Sequence, residues 1–226
     1  MLISHRKKFI YIKTVKTAST SVEAYFEPWA RTEDYDYTDK KNNRQRADAD
    51  ITEAGIVGRR GQGKSCPEGW HSHLKARIIK EKIGNEIWNS YFKFCVIRNP
   101  YDRAVSKFYF QHNNMLVDLT VKTPVELQAM FAEFVSIEHR SDKNIWTIGK
   151  DIAFDKCIRY ENLQDDMAEV CNILDIPWEP SRLKNFKSGV RPRDVYTQLY
   201  TPEAKAAIER THALEFKLFD FKYPGE

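Results

Sequence analysis

The chain has 226 residues, 42% hydrophobic and 13% aromatic, which is enough to bury one good core as a single domain spanning residues 1–226. Its 36 Lys and Arg against 32 Asp and Glu leave a formal charge of +4, which fits a local basic site for an anionic ligand better than a nucleic-acid-binding stripe. No apolar run approaches the ~18 residues of a membrane span, no signal peptide precedes the first predicted strand, and Cys66, Cys95, Cys157 and Cys171 show no metal spacing, so a cytoplasmic protein with free thiols is expected.

Phe9-Ile10-Tyr11-Ile12 reads as a strand covered on both faces. The hydroxyl-rich stretch that follows carries Lys16, and Thr20 with Glu23 three positions later has the signature of a capping box. Val22, Tyr25, Phe26 and Trp29 continue it as a one-sided apolar stripe at helical spacing. A strand, a lysine-bearing loop and a helix start build an anion site, because the first helical N–H groups lack partners and the helix dipole favours negative charge there. The plainer alternative is an ordinary strand-to-helix turn with a solvated lysine.

Residues 31–69 are polar and glycine-bearing without a sustained apolar period, and read as an irregular insertion that is either an acceptor-side lid or a solvated linker. Inside it, Gly58-Arg59-Arg60-Gly61-Gln62-Gly63-Lys64-Ser65 satisfies the Walker A expression letter for letter. Only Ile56-Val57 precede it, and Pro67 and Gly69 oppose the helix that such a loop must feed, so a chance match in a basic loop is the stronger reading. The alternative keeps open an ATP-dependent small-molecule kinase.

A helix over about 73–83 leads into a second buried strand, Phe92-Lys93-Phe94-Cys95-Val96-Ile97, which delivers Arg98 to its C-terminal end, where open α/β sheets place their ligands. Asn99 is a helix cap, Pro100 suits the first helical position, and Tyr101, Val105, Phe108 and Tyr109 line the buried side. Arg98, Arg103, Ser106 and Lys107 gather there, although Arg98 could simply pair with Asp102. Thr123-Pro124-Val125-Glu126 caps another helix with Leu127, Met130, Phe131 and Phe134 as its core stripe. Cys157 to Tyr160 form a third strand, Leu163 to Leu174 a helix returning over the sheet, and Thr201-Pro202 start the last helix. Strands alternating with helices imply a parallel sheet.

Two of these segments resemble the signatures of the PAPS-dependent sulfotransferases (PAPS is 3′-phosphoadenosine 5′-phosphosulfate), in particular the carbohydrate-type branch. Lys16-Thr17-Ala18-Ser19-Thr20-Ser21 is similar to the first signature, with Val15 where proline is usual and Ser19 where glycine is common. Arg98-Asn99-Pro100-Tyr101-Asp102-Arg103-Ala104-Val105-Ser106 is similar to the second, Arg159-Tyr160-Glu161-Asn162-Leu163 to a third, and Leu199-Tyr200-Thr201-Pro202 with Phe219 to Tyr223 to the family's C-terminal helix and tail. The resemblance covers nearly the whole chain apart from about residues 30–70. It implies an α/β, P-loop-kinase-like three-layer fold with a central parallel sheet flanked by helices.

It also implies residue roles. Lys16, Thr17, Ala18, Ser19, Thr20 and Ser21 would hold the 5′-phosphosulfate, Arg98 and Ser106 the 3′-phosphate, and Lys187, Ser188, Arg191 and Arg193 would be secondary donor contacts in a basic loop. No metal is needed. His73, in His73-Leu74-Lys75-Ala76 at the start of a predicted helix, is assigned as the base that deprotonates the acceptor hydroxyl, titrating near neutrality, with His71 in support. Surface histidines on the lip of the long loop are the alternative, and His112 and His139 are read as helix-edge residues without chemistry. The expected acceptor is a carbohydrate or glycolipid hydroxyl. A non-enzymatic anion-binding module is a further possibility that composition leaves open.

Overall fold

The structure, a computed structural model, describes residues 1–35, 48–61, 66, 68–184 and 196–224. They divide into two compact units, Met1–Ile97 with Asn144–Phe186, and Arg98–Lys143 with Lys187–Glu226. In chain order the elements are β1 (Leu2–Ser4), β2 (Phe9–Ile12), α1 (Ser19–Phe26), β3 (Asp50–Thr52), β4 (Gly55–Val57), α2 (Ala76–Ser90), β5 (Phe92–Ile97), α3 (Pro100–Asn114) and α4 (Pro124–Ile137). There follow α5 (Lys143–Trp146), β6 (Thr147–Ile148), β7 (Asp151–Ile152), β8 (Lys156–Arg159), α6 (Leu163–Ile173), α7 (Tyr196–Leu199), α8 (Pro202–Thr211) and α9 (Ala213–Phe219).

The first unit is an α/β layer structure around a six-stranded sheet of order β3-β4-β1-β2-β5-β8. β2, β5 and β8 run parallel, with Phe9 opposite Phe92 and Cys95 opposite Cys157. The expectation of a purely parallel sheet is corrected by the other half: β1 is antiparallel to both β2 and β4, and β4 to β3. β1 lies at the start of the chain, and β3 and β4 lie inside the segment expected to be irregular. Three-residue strands are too short to show a period, which is why residues 50–57 carried no strand signal.

Alternation along β2 explains why both faces of this sheet are dry. Phe9 and Tyr11 join Phe94 and Val96 of β5 in a core completed by Val22, Tyr25 and Phe26 of α1 and by Met167, Val170 and Cys171 of α6. Ile10 and Ile12 point the other way and are equally buried. The Phe26 and Phe94 rings meet edge to face with centroids 4.9 Å apart. α1 stops at Phe26 because Pro28 follows, and Glu27–Ala30 tighten into a 3₁₀ turn carrying Trp29. The helix expected to end at about 83 is α2, which breaks at Gly84, where φ is 79°.

The second unit is helical. Its core joins Tyr101, Val105, Phe108 and Tyr109 of α3 with Phe131, Phe134 and Val135 of α4 and Ala204, Ala207 and Ile208 of α8. The capping chemistry is as the sequence implies: Asn99 accepts from the Tyr101 N–H at 3.1 Å, Thr123 and Glu126 form a full capping box, and Thr201 accepts from the Ala204 N–H at 3.2 Å. The four cysteines are free thiols. Among the described residues, no helix is long and apolar enough to cross a membrane.

Candidate active site

The loop predicted to hold an anion is residues 13–18, between the end of β2 and the start of α1. Two of its residues are left-handed without being glycine, Lys16 at φ 62° and Ala18 at φ 56°, a conformation that costs an L-residue roughly 1–2 kcal/mol. Such turns direct successive N–H groups into one concavity suited to an anion. Ser19, where the family commonly has glycine, is the first helical residue, so its side chain meets no backbone penalty. The loop is tied down from beneath. Thr14 Oγ1 donates to the Val96 carbonyl of β5 and lies 2.7 Å from Thr17 Oγ1, while the Tyr11 hydroxyl donates to the Ser19 carbonyl at 3.2 Å. Thr17 is therefore buried with its hydroxyl turned inward. The hydroxyls of Ser19, Thr20 and Ser21 make no hydrogen bond among the described residues, and Lys16 and Thr20 are half-buried, so this short stretch fits a multiply charged oxyanion.

The expected Thr20–Glu23 capping box is not formed. Ala18 occupies the cap position without a side-chain bond, and Glu23 is wholly buried on the inner side of α1. There its carboxylate accepts from Lys13 Nζ at 2.6 Å, Arg60 Nε at 2.6 Å and the Met1 amino nitrogen at 2.7 Å. Glu27, one turn on, accepts from Arg60 at 2.8 Å and from Arg31 at 2.8 Å. Burial alone would raise the Glu23 pKa, but Lys13, the amino group and Arg60 outweigh it and hold the carboxyl well below its ordinary range. An ion pair in the core beats a solvent-exposed cap here because the Lys13 ammonium and the Arg60 guanidinium both compensate the buried carboxylate. The spacing of Glu23 and Glu27, on a helix whose Val22, Tyr25 and Phe26 are core, was the available signal that buried cations must exist.

His73 lies three residues before α2 rather than in it. The residue is exposed, but its Nδ1 faces inward at 3.1 Å from the Lys13 carbonyl oxygen. A carbonyl only accepts, so Nδ1 carries the proton and Nε2 the lone pair. Desolvation on the inner side, reinforced by the Lys13 ammonium, lowers the pKa to about 4. The expectation of a base titrating near neutrality is thus corrected, and the imidazole is neutral at pH 7. His71 is exposed and pairs through its backbone with Arg59. That pairing bends Gly58–Gly61 back on residues 70–72 and sends Arg60 into the core, and the described residues between Cys66 and Lys75 are not helical. Gln62 to Ser65, the rest of the Walker A match, lie outside the described residues.

In the helical unit, Arg98 is buried and pairs through Nε and a terminal nitrogen with Asp102 Oδ2, both at 2.6 Å, and Ser106 is half-buried in α3. Lys187, Ser188, Arg191 and Arg193 lie outside the described residues. An open hollow of about 450 Å³ is lined by Tyr101, Lys205, Glu209, Phe216, Lys222 and Tyr223 among others, and no predicted donor residue lines it. His139 departs from the helix-edge reading. It is fully buried, stacks on His212 with ring centroids 4.9 Å apart, and neither of its nitrogens has a hydrogen-bond partner among the described residues. Arg103 donates to His212 Nε2 at 2.7 Å and pairs with Asp142. Among the described residues, no three His, Cys, Asp or Glu side chains are grouped to hold a metal ion.

A mixed sheet whose buried strand β2 feeds a lysine-bearing, hydroxyl-rich loop and the start of α1 defines an α/β protein. The sequence model of the Sulfotransferase family matches residues 1–222, so the chain belongs to that family and is a PAPS-dependent sulfotransferase. It is also similar to an uncharacterized protein of Archaeoglobus fulgidus, 25% identical over 109 residues that cover 47% of this chain and 86% of that protein. No solved structure matches the chain.

Proposed function

We propose that this enzyme transfers the sulfuryl group in line to a hydroxyl of a carbohydrate or glycolipid, with His73 as the base and Lys16 stabilising the departing phosphate. PAPS supplies the sulfuryl group and the phosphate leaving group. The protein's own part is positioning and charge. Lys16 and the hydroxyls of Ser19, Thr20 and Ser21, with the N–H groups at the start of α1, hold the phosphosulfate. Arg98 and Ser106 keep the 3′-phosphate role that the family signature implies, as do Lys187, Ser188, Arg191 and Arg193 the secondary one. His73 Nε2 accepts the proton of the acceptor hydroxyl.

The observation that carries this reading is the 3.1 Å contact of His73 Nδ1 with the Lys13 carbonyl. It commits one ring nitrogen as donor and leaves the other as acceptor, and it does so on the same stretch of backbone that continues into Lys16. The test is calorimetric titration with adenosine 3′,5′-bisphosphate and separately with ATP and magnesium, followed by turnover of Lys16→Ala and Lys64→Ala. We expect the bisphosphate to bind, Lys16→Ala to lower kcat by about 10²–10³-fold, and Lys64→Ala to leave it unchanged. Binding of ATP and magnesium without the bisphosphate would transfer the assignment to a kinase, and bisphosphate binding without turnover of any hydroxyl acceptor to a binding module.

A further inference from the structure

Six residues of the α/β unit close a ring of contacts that begins and ends at Arg60. Arg60 Nε donates to Glu23 Oε2 at 2.6 Å, and Lys13 Nζ donates to the same oxygen at 2.6 Å. The carbonyl of Lys13 receives the His73 Nδ1–H at 3.1 Å. Ser72, the preceding residue, donates its hydroxyl to the carbonyl of Arg59, which is covalently joined to Arg60. The Arg59 N–H bonds the Trp70 carbonyl at 2.9 Å, so residues 59–60 and 70–73 move as one piece. That piece meets the donor loop's helix through the Arg60 guanidinium, which also reaches Glu27 at 2.8 Å, and through the Met1 amino nitrogen, which bonds the Ser72 carbonyl at 2.9 Å and Glu23 Oε1 at 2.7 Å.

We infer that Arg60 is a positioning residue for catalysis, latching the segment that carries His73 onto α1 and thereby fixing which imidazole nitrogen carries the proton. The inference rests on the reading of His73 as base. Arg60 is only 5% exposed, and its two carboxylate partners sit one helical turn apart, a spacing that a planar fork bridges and an ammonium cannot. Without it, residues 59–60 and 70–73 keep the bonds between them and the Met1 bridge but lose the guanidinium fork onto the helix, so the Lys13 carbonyl holds the ring less firmly. A displacement of about 1 Å at a base lowers the rate by about 100-fold while leaving donor binding in place.

The experiment compares wild type, Arg60→Met and Arg60→Lys as full chains labelled with ¹⁵N in histidine. Imidazole ¹⁵N shifts report the His73 tautomer, calorimetry reports affinity for adenosine 3′,5′-bisphosphate, and turnover reports kcat. We expect a dominant Nδ1–H tautomer in wild type, a mixed population in Arg60→Met with kcat down by about 10–100-fold and bisphosphate affinity within about threefold, and partial recovery in Arg60→Lys. Should Arg60→Met not fold, Arg60→Lys decides, because it keeps the buried charge and loses the fork. An unchanged His73 tautomer with wild-type kcat in the folded variant overturns the inference, as does a parallel loss of kcat and bisphosphate affinity. Failure of the base reading is distinct: His73→Asn would then keep full turnover, while the tautomer comparison still judges Arg60.

Discussion

The Nδ1 of His73 and the carbonyl oxygen of Lys13 are 3.1 Å apart, and this contact sets the tautomer of the imidazole. The ring's pKa is lowered to about 4, by desolvation first and the Lys13 ammonium second. The neutral ring is the acting form, so activity is present above that value and is lost as pH falls through it. A profile of kcat/KM between about pH 4 and about pH 8 should therefore show no acid limb centred on the ordinary histidine value of 6.5. A limb centred there, removed by His73→Asn, would contradict the burial of Nδ1.

Ala18 sits at φ 56° at the start of α1. Ala18→Gly removes the left-handed penalty of roughly 1–2 kcal/mol and adds unfolded-chain entropy of similar size, so thermal stability and bisphosphate affinity should stay near wild type. Ala18→Val places a β-branched side chain in the same conformation and should lower stability by about 1–3 kcal/mol, with weaker bisphosphate binding. Equal melting temperatures for the two variants would show that the loop is not left-handed at this position.

The buried pair His139 and His212 should make the helical unit acid-labile. His212 is lowered to about 3 and His139 well below the ordinary range, in both cases by burial first and Arg103 next, with Lys107 and Arg140 also facing His139. A depressed folded pKa means that the unfolded chain takes up protons first, so stability is intact above about pH 6.5 and declines below it by about 1.4 kcal/mol per pH unit for each histidine. Glu215, whose carboxyl is raised by burial, works in the opposite direction and offsets part of the loss. Urea melts at about pH 7 and about pH 5 should differ more for wild type than for His139→Phe, and equal differences would rule out the buried neutral ring as the source.

Gly55 and Gly84 should respond differently to alanine. A Cβ at Gly55 would run into the Ile3 carbonyl oxygen of the paired strand β1, so Gly55→Ala must displace backbone and should cost about 2–4 kcal/mol. At Gly84 a Cβ meets nothing within 4 Å, and only the φ of 79° resists it, which predicts a loss of about 1–3 kcal/mol. Thermal melts decide the order, and a more damaging Gly84→Ala would mean that the break in α2 matters more than the β4–β1 pairing.

Much of this molecule was readable before any coordinate. Four consecutive apolar residues at 9–12 and the run at 92–97 announced strands dry on both faces, and Asn99-Pro100, Thr123 with Glu126, and Thr201-Pro202 each mark a helix start by chemistry local to three or four residues. β1, β3 and β4 stayed hidden because three residues show no period, and what seats β4 beside β1 is antiparallel contact between segments about 50 residues apart in the chain. The Thr20–Glu23 pattern misled for a related reason: a local capping box and a long-range ion pair compete for the same carboxylate, and sequence spacing weighs only the first.

Sequence alone determined the family, the lysine-bearing loop with its hydroxyls, and the candidate base, since each depends on which residues stand side by side in the chain. Tertiary structure decided what those residues can do. It buried Glu23 among Lys13 and Arg60, turned Thr17 inward, paired Arg98 with Asp102, and set His73 against the Lys13 carbonyl as a neutral ring. The physical reason is that charge state and proton placement follow from desolvation and from partners distant in sequence, neither of which has a period or a motif to read.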